Sequence, residues 1–402
     1  MRILHVASEY PPQQVFGLGR YVCDLSREMV RQGNAVHVLT NSLGGRDQDV
    51  VQDGVDVHRV HFPPPPKPPG PCAPLLAFNL HLQQRATELG FVGLGEPEVV
   101  VSHDWLTALA GHRLAARFDL PHVWTVHDTV AGKRTGRSSV DGDDMAFEIE
   151  RWVASCADLI LANSKAIREE LKREYAAPAP RVKLVHCGIE PNAFVSSQEQ
   201  SRIDEFRRFL VGDGTLLVTY VGRLDMEKGI DTLVNAFARL RTKVPGARLA
   251  VAGKGVLEET ILKHVQQLGI EHSVRLCGYV RGEVLKHVYI ASDIHVCPSN
   301  YEPFGLVAAE AMAAGTATVV SATGGLTEVV CNPQVGRTFA SRSVDDLASV
   351  LIELAESPAV RKRLGDAGAR HVRDTFAWTV IAPKAERLYR EACRDVKQEV
   401  LV

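Results

Sequence analysis

Short apolar runs rich in β-branched residues alternate with amphipathic helical patterns along most of the chain. A strand that a parallel sheet buries on both faces reads as a nearly continuous hydrophobic run, and a helix commonly connects it to the next such strand. The pattern therefore predicts βαβ units around parallel sheets in both halves of the sequence. The predicted strands span residues 3–7, 35–39, 55–60, 99–101, 122–126, 159–161, 182–185, 216–221, 248–251, 274–276, 294–296 and 318–320.

A chain of 402 residues is long enough for two domains of this kind. A polar, helix-prone stretch, Pro191–Gly214, separates the two sets of strands. We therefore predict two doubly wound α/β domains, over residues 1–195 and 196–376, followed by a last helix over 377–402. The segment Pro63–Pro74 holds eight prolines in twelve residues, which predicts a loop or polyproline II connection.

The composition is that of an ordinary globular protein, with 45% hydrophobic and 23% charged residues. A formal net charge of -2 gives no general attraction to nucleic acid, so any anion site must be local. Eight cysteines form no CxxC pair, which argues against a zinc site or a disulfide framework and indicates a reducing, cytoplasmic location. The least polar stretch, Gly305–Gly325, is interrupted by Glu310, so no membrane span is expected.

Charged residues follow two predicted strands of the second half, at the strand ends where doubly wound sheets bind ligands. Arg223 and Lys228 stand in one such loop, and two cations there can hold a multiply charged anion such as a diphosphate. Surface ion pairs are the alternative for both. Glu302 and Glu310 follow another strand. Glu310 stands among small apolar residues, where a buried carboxylate needs a hydroxyl or cationic partner, and a solvent-facing Glu310 is the alternative.

Two glycine turns stand at predicted helix starts, where backbone N–H groups can approach a phosphate closely. One is Gly17-Leu18-Gly19 and the other is Thr323-Gly324-Gly325. The first turn lacks the full dinucleotide-binding fingerprint, because Val22 occupies the place of its third glycine, and this disfavours a nicotinamide oxidoreductase. A glycine turn without a ligand is the alternative.

Two predicted strands of the first half end in His-Asp, namely His103-Asp104 and His127-Asp128. Because the carboxyl ends of parallel strands share one edge of the sheet, we expect these four side chains to converge. A hydrogen-bonded structural histidine is the alternative for each pair, and no metal-ligand spacing accompanies them. The run Asp141-Gly142-Asp143-Asp144 contains Asp-x-Asp but lies in a polar stretch, and it is interpreted as a solvated turn.

Several of these residues belong to longer patterns. The patterns are Gly222-Arg223-(x4)-Lys228-Gly229, Glu302-Pro303-Phe304-Gly305-Leu306-(x3)-Glu310-Ala311, Gly324-Gly325-(x2)-Glu328-Val329-Val330, Ser8-Glu9-Tyr10-Pro11-Pro12 and Thr125-Val126-His127-Asp128. Together they resemble the retaining GT-B glycosyltransferases of family 4, and the last two, with Gly17-Leu18-Gly19, look like the glycogen/starch-synthase-like branch. The resemblance spans nearly the whole chain. It implies a GT-B fold of two doubly wound Rossmann-like domains facing a central cleft, with the last helix crossing back to the first domain.

The resemblance also implies roles for the candidate residues. Arg223 and Lys228 would neutralise a nucleoside diphosphate leaving group, Glu310 would hold the donor ribose, and His127 would contact the transferred sugar near its C6 hydroxyl. His127, Arg223, Lys228 and Glu302 form the expected catalytic set. The further donor contacts are Phe304, Gly305 and Leu306 with Glu302 for the sugar, Gly17, Leu18, Gly19 and Gly324 for the diphosphate, and Lys254 and Val280 for the base. The expected acceptor contacts are Glu9, His103, Asp104 and Arg134.

One departure concerns the first glycine loop, where glycogen synthases carry Lys-x-Gly-Gly-Leu and this chain has Gln14-Val15-Phe16-Gly17-Leu18. The loss of the lysine and of the first glycine counts against polyglucan synthesis. The acceptor stays open among a glucan, a polyol, a sugar phosphate and a natural-product aglycone, as does assembly into a homo-oligomer.

We therefore predict a retaining hexosyltransferase that needs no metal or other cofactor. It moves a sugar from a UDP- or ADP-sugar donor to a hydroxyl acceptor by a front-face mechanism, and no nucleic acid or membrane partner is expected. An NDP-sugar epimerase or hydrolase on the same scaffold is one alternative. A non-catalytic nucleotide-sugar-binding protein is the other.

Overall fold

Two compact units make up the chain. Unit 1 comprises Met1–Arg134, Ser138–Gly188 and Trp378–Val402, and unit 2 comprises Thr135–Arg137 and Ile189–Ala377. The structure, a computed structural model, describes residues 1–12, 17–42, 44–62, 72–90, 96–136, 142–194, 200–212 and 216–399. The first glycine loop up to Phe16, most of the proline-rich segment and the predicted domain boundary at residue 195 lie outside these ranges. The assignment of acceptor and donor to separate domains stays a prediction.

Unit 1 is built on an eight-stranded sheet. The strands are β1 (Arg2–Val6), β2 (Ala35–Ser42), β3 (Gln48–Gln52), β4 (Val55–His61), β5 (Val99–His103), β6 (His122–Val126), β7 (Leu159–Ala162) and β8 (Val182–Leu184). Their spatial order is β3-β4-β2-β1-β5-β6-β7-β8, and every neighbouring pair is parallel except β3 with β4. The helices between them are α1 (Gly17–Arg31), α2 (Cys72–Leu89), α3 (Ala108–Phe118), α4 (Val130–Gly136), α5 (Asp143–Cys156) and α6 (Lys165–Glu174).

Unit 2 is built on a fully parallel six-stranded sheet. The strands are β9 (Leu216–Val221), β10 (Ala247–Ala252), β11 (Val274–Gly278), β12 (Ile294–Cys297), β13 (Ala317–Ser321) and β14 (Arg337–Phe339), in the spatial order β11-β10-β9-β12-β13-β14. The helices are α7 (Gln200–Val211), α8 (Ile230–Lys243), α9 (Glu258–Gln267), α10 (Gly282–Ile290), α11 (Leu306–Ala313), α12 (Leu326–Val329), α13 (Val344–Glu356) and α14 (Pro358–Phe376). The last helix, α15 (Trp378–Glu399), belongs to unit 1 and packs on α1.

The predicted fold class is confirmed, and all twelve predicted strands form with small shifts at their ends. The central strands are buried on both faces, which explains their continuous apolar runs. The prediction missed β3 and β14. The first is a polar edge strand in which Val51 is exposed, and the second is only three residues long, so neither carries a hydrophobic run.

Two sequence predictions were wrong in part. Cys72–Pro74, predicted to be irregular, opens α2, where proline is tolerated because the first helical turn has no N–H partners to lose. Asp143 and Asp144, interpreted as a solvated turn, form the first turn of α5, and Asp143 is buried. Carboxylates at that end of a helix are stabilised by the helix dipole.

Two further expectations concern cysteines and membranes. No disulfide joins the cysteines that the structure describes. Among the helices within the described ranges, none combines the length and the apolarity needed to cross a bilayer.

Apart from the short piece Thr135–Arg137, the chain passes from unit 1 to unit 2 after Gly188 and back after Ala377. Within unit 2, Ile189 forms a parallel bridge with Ala377 and donates its N–H to the Phe376 carbonyl at 2.8 Å. Within unit 1, Gly188 packs so closely on the Trp378 indole that a Cβ atom there would lie 2.3 Å from the ring. Unit 2 therefore begins and ends at paired residues.

Gly365 of α14 packs directly on the backbone before β13, since a Cβ atom there would lie 1.9 Å from the Gly315 carbonyl oxygen. We expect Gly365→Ala to lower the free energy of unfolding by about 1–3 kcal/mol through overpacking, although alanine alone favours a helix by about 1 kcal/mol. Urea denaturation followed by circular dichroism measures the change. Arg363→Ala, at an exposed site on the same helix, is the control, and equal stability of the two variants would contradict the packing argument.

Candidate functional site

Each sheet contains one place where the strand order reverses. In such sheets the loops that leave the two central strands cross to opposite faces, so a crevice opens between them. The reversal lies between β9 and β12 in unit 2 and between β1 and β5 in unit 1. The loop after β9 carries Arg223 and Lys228, and the loop after β12 carries Glu302. The topology therefore places the predicted charged residues of unit 2 beside its crevice.

The loop after β9 is held in a single tight conformation. Asp225 caps one 3-10 turn, because its Oδ1 accepts the Lys228 N–H at 3.2 Å. Gly229 ends the turn with φ 60°, and a Cβ atom at Gly229 would lie 2.1 Å from the Pro298 carbonyl oxygen. Only glycine fits this close approach, which seats the loop after β9 directly on the loop after β12.

Hydrogen bonds also join the two loops. The Asn300 N–H donates to the Glu227 carbonyl at 2.7 Å, and the Asn300 side-chain amide donates to the Met226 carbonyl at 2.8 Å. These two hydrogen bonds fix the position of one loop relative to the other. The side chains that both loops present are therefore oriented before any ligand arrives.

Lys228 and Glu302 form an ion pair across this junction. Lys228 Nζ lies 2.8 Å from Glu302 Oε2, and both side chains are only 18% exposed. The Ser299 hydroxyl donates to the same carboxylate oxygen at 2.9 Å. Since partial burial weakens solvent screening, this pair is held more firmly than an ion pair on the open surface.

Arg223 is the more exposed of the two cations, at 55% of its side-chain surface. Its guanidinium contacts Asp225 at 3.3 Å and the buried Glu227 at 3.1 Å. The Tyr220 hydroxyl donates to the Arg223 carbonyl at 2.6 Å and so anchors the backbone at this residue. The backbone of Arg223 is therefore held in place, while more than half of its side-chain surface is exposed to solvent.

Glu310 is buried within α11, with 3% of its surface exposed. The Tyr289 hydroxyl donates to Glu310 Oε2 at 2.8 Å. This supplies the hydroxyl partner that the sequence demanded, and it excludes the solvent-facing alternative. Burial of a carboxylate is costly, and the hydrogen bond from Tyr289 offsets part of that cost.

The segment Phe304–Leu306 leads into α11 and is supported from the turn before α12. The Gly325 N–H donates to the Glu302 carbonyl at 2.9 Å, and a Cβ atom on Gly324 would lie 2.1 Å from that carbonyl oxygen. The Phe304 ring meets Phe376 edge-on at 5.4 Å. The structure thus brings Gly324 against the Glu302 loop, because β12 and β13, which precede the two segments, are neighbouring strands.

Lys254 lies in the loop after β10, the strand that neighbours β9 on the side opposite to β12. Its carbonyl accepts the Leu224 N–H at 3.0 Å, and its exposed side chain extends over Gly278 at the end of β11. Val280, two residues further on, is partly exposed. Both residues therefore lie at the same edge of the sheet as Arg223.

Three histidines form a row in unit 1. His5 Nδ1 lies 3.0 Å from His103 Nε2, and His103 Nδ1 lies 3.1 Å from His127 Nε2. Successive rings are stacked, with centroids 5.2 and 5.3 Å apart. The Tyr21 ring contacts His103 and His127 edge-on. His103 and His127 converge as predicted, and the structure adds His5 from the middle of β1.

Burial keeps this histidine row uncharged. It lowers the pKa of His5 to about 3 and that of His127 to about 4, and it holds the pKa of His103 well below its usual value. A charged imidazole would lose its hydration in this environment, and at His127 the opposing effect of the Asp128 charge is smaller than the effect of burial. All three rings are therefore neutral near pH 7.

Asp104 lies beside the row, where its Oδ1 accepts a hydrogen bond from the backbone N–H of His127 at 2.7 Å. Burial, reinforced by the charge of nearby Asp128, raises the Asp104 pKa well above its usual value. Asp128 itself forms an ion pair with Lys133 at 2.6 Å. The contact that Asp104 makes with His127 is therefore with its backbone.

The remaining predicted residues of unit 1 are less closely associated with the row. The Arg134 guanidinium contacts Asp144 at 2.5 Å and lies over the Phe147 ring, so its described contacts are with α5. Glu9 is partly buried in the loop after β1. The first turn of α1 contains Gly17, Leu18 and Gly19, of which Gly17 is exposed and Gly19 is buried.

Sequence reasoning missed several partners of the candidate residues. His5 stands as a polar residue in the otherwise apolar run of β1, and that interruption was a usable signal. Ser299 and Tyr289 gave none, because a hydroxyl in a loop or a helix is too common to stand out. Within the described ranges, no group of three His, Cys, Asp or Glu side chains is arranged to hold a metal ion.

Comparison with known proteins places this geometry in a family. Residues 15–193 match the family described as Glycosyltransferase Family 4, and residues 201–371 match Glycosyl transferases group 1. A glycogen synthase from Mycobacterium tuberculosis is 32% identical over 99% of this chain and 96% of its own length.

Solved structures agree. Sucrose-phosphate synthase from Thermosynechococcus elongatus has a TM-score of 0.81 at 25% identity, covering 97% of this chain and 99% of its own. HepE from Anabaena, solved with UDP and glucose, has a TM-score of 0.77 at 20% identity, covering 97% of this chain and 100% of its own, and shows the same fold. The chain is therefore an enzyme, a hexosyltransferase that belongs to the family 4 glycosyltransferases of GT-B fold, in their glycogen/starch-synthase-like branch.

Proposed function

We propose that this enzyme transfers a hexosyl unit from a UDP- or ADP-sugar to a hydroxyl acceptor, with retention at the anomeric carbon and without a metal ion. The observation that carries the proposal is the junction of the loops after β9 and β12, which presents Arg223, Lys228 and Glu302 beside the strand-order reversal of unit 2. The names of the relatives agree with such a donor, since one is a glycogen synthase and one was solved with UDP and glucose.

Arg223 and Lys228 hold the diphosphate. An ammonium carries three donors and a guanidinium five, so each cation can keep its carboxylate contact and still bind phosphate oxygens. Their charge is worth most as the glycosidic bond breaks, because negative charge then accumulates on the leaving diphosphate. Lys254 and the backbone near Val280 contact the base, and Gly17, Leu18, Gly19 and Gly324 supply backbone contacts to the diphosphate.

Glu310 holds the donor ribose. A carboxylate has about four acceptor sites, so Glu310 can accept from ribose hydroxyls and keep the bond that the Tyr289 hydroxyl donates. Glu302, with the backbone of Phe304, Gly305 and Leu306, binds the transferred sugar, and His127 contacts the same sugar.

Retention follows a front-face path. Glu302 is engaged by an ammonium and a hydroxyl on one oxygen, which suits it to bind a sugar hydroxyl better than to attack carbon. The departing diphosphate assists removal of the acceptor proton, so no carboxylate nucleophile is required. The anomeric configuration of the product, read by proton NMR, tests retention, and an inverted product would refute it.

The acceptor is a neutral saccharide hydroxyl. Lys133 and Arg134, the cations nearest the predicted acceptor residues in sequence, form close ion pairs with Asp128 and Asp144. Asp128 and Asp144 thus place negative charge beside these cations, which favours a neutral acceptor over a phosphorylated one. Glu9, Asp104 and Arg134 are the proposed acceptor-side residues. The predicted acceptor contact of His103 is not retained, because His103 is fully buried and both of its ring nitrogens are engaged by other histidines. Competition between maltose and glucose 6-phosphate, with mass spectrometry of the products, tests the assignment.

We expect Lys228→Ala to lower kcat about a hundredfold or more, because a preorganised cation facing the leaving group is lost. Initial rates with UDP-glucose and ADP-glucose, each with maltose, measure the change. Lys243→Ala, at an exposed site near the end of α8, is the control and keeps the original rate. Unchanged turnover in a folded Lys228→Ala enzyme would remove this lysine from the mechanism.

Glu310→Gln keeps the shape of the side chain and removes its charge. We expect the donor Michaelis constant to rise about tenfold while kcat changes less, as for a contact made in the ground state and the transition state alike. Tyr289→Phe, which removes only the hydroxyl that bonds Glu310, separates the ribose role from simple support. An unaltered donor Michaelis constant in Glu310→Gln contradicts the ribose role.

Removal of metal ions leaves the rate unchanged if the two cations supply the whole positive charge. Dialysis against EDTA, followed by assay with and without added Mg²⁺ or Mn²⁺, checks this expectation. If activity were lost on dialysis and restored by either ion, the proposal that Arg223 and Lys228 alone supply the positive charge would be wrong. Incubation with donor alone, in the same series, detects hydrolysis or epimerisation without transfer.

A further inference from the structure

The histidine row of unit 1 restricts the tautomer of His127. A neutral imidazole has one N–H donor and one bare nitrogen acceptor. Because both nitrogens of His103 are engaged, His103 must donate to one neighbour and accept from the other. Only two arrangements satisfy the row. In one, His127 Nε2 donates to His103 and His127 Nδ1 is bare, and in the other, His127 Nε2 accepts from His103 and Nδ1 carries the proton.

The inner end of the row is closed. His5 is fully buried, and its Nε2 has no hydrogen-bond partner among the described residues. A change from one arrangement to the other must add a proton at one end of the row and remove one at the other. With the His5 end buried, that exchange requires a local opening, so one arrangement persists through a turnover.

The closed end also selects the arrangement. Donation from His127 inward leaves an N–H on His5 Nε2 that is buried and unbonded, whereas donation from His5 outward leaves only a bare nitrogen there. Orphaned buried N–H groups are rarer in proteins than under-satisfied acceptors. The outward direction is therefore favoured, and it puts a proton on His127 Nδ1.

We propose that His5 and His103 are positioning residues that hold His127 as its Nδ1–H tautomer, so that His127 donates a hydrogen bond through Nδ1 to an oxygen of the transferred sugar. The sugar contact rests on the proposed function, whereas the tautomer is a property of the free protein. The tautomer is diagnostic, because an unconstrained imidazole in water prefers the proton on Nε2.

Neighbouring rings keep the row in register. Tyr21 lies edge-on to His127 at 4.6 Å and to His103 at 6.0 Å, and Trp378 contacts Tyr21 at 5.3 Å. The Asp104 carboxylate and the Asn163 amide hold the His127 backbone from its N–H and carbonyl sides, both at 2.7 Å. The ring of His127 is thus fixed in place, and its proton distribution is what remains to be set.

Nitrogen-15 NMR of imidazole-labelled enzyme near pH 7, without substrates, tests the tautomer directly. We expect a protonated Nδ1 and a bare Nε2 for His127 in the wild type. His103→Phe removes both bonds and shifts His127 toward the Nε2–H form. His103→Gln keeps them, because its amide oxygen can accept from His5 and its amide nitrogen can donate to His127. A wild-type His127 protonated on Nε2, or one whose tautomer ignores His103→Phe, would overturn the proposal.

Kinetics tests the contact with the sugar. We expect kcat to fall about tenfold or more in His103→Phe, since one hydrogen bond to the reacting sugar is lost, and to stay within about threefold of the wild type in His103→Gln. His122→Phe is the matched control, because His122 is a buried histidine of β6 that bonds Ser102 outside the row. It leaves both the His127 tautomer and kcat unchanged.

The experiments distinguish failure of the proposed role of the histidine row from failure of the proposed function. A wild-type tautomer as proposed, combined with full activity in His103→Phe, would overturn the role of the row in transfer but leave the proposed function intact. Absence of transfer by the wild type with every UDP- and ADP-sugar would refute the proposed function, while the NMR result would still decide the tautomer. Thermal melting of each variant shows whether it is folded, and the wild-type spectrum needs no variant at all.

Discussion

The proposed donor site of unit 2 depends on one close backbone approach, the packing of Gly229 against the carbonyl of Pro298. Together with the hydrogen bonds from Asn300, it holds the loops after β9 and β12 against each other at the reversal of the strand order. The contact brings Lys228 and Glu302 to 2.8 Å and leaves Arg223 on the outer side of the same loop. Charges of opposite sign are thereby kept at fixed places without an ordering cost at the moment of binding.

The two units handle polar groups at their sheet edges in opposite ways. In unit 2, the charged side chains form ion pairs, and Arg223 and Lys228 stay partly exposed. Unit 1 aligns three imidazoles, two of them fully buried, and the loss of hydration removes their charge. Electrostatic attraction dominates the first site, while hydrogen-bond direction dominates the second. A reaction that separates a charged leaving group from a neutral sugar can use both.

Much of this was readable from the sequence, because apolar runs and strand ends obey simple rules. The parallel strands and the place of Arg223, Lys228 and Glu302 at strand ends followed from the pattern alone. The burial of Glu310 followed from its small apolar neighbours. The partners did not follow, since Tyr289 and Ser299 reach their carboxylates through tertiary packing that no local spacing encodes. The edge strand β3 was missed for the related reason that its exposed face carries no hydrophobic run.

The paired crossings at Gly188–Ile189 and Ala377–Trp378 have a consequence for dissection of the molecule. Unit 2 is almost entirely one uninterrupted segment whose two ends are joined by a bridge, so it resembles an insertion into a host domain. Unit 1 is the host, and it is completed only when the final helix has been synthesised. A deletion of α15, which is far in sequence from the loops proposed to bind the donor, would therefore remove a helix that packs on α1 of unit 1.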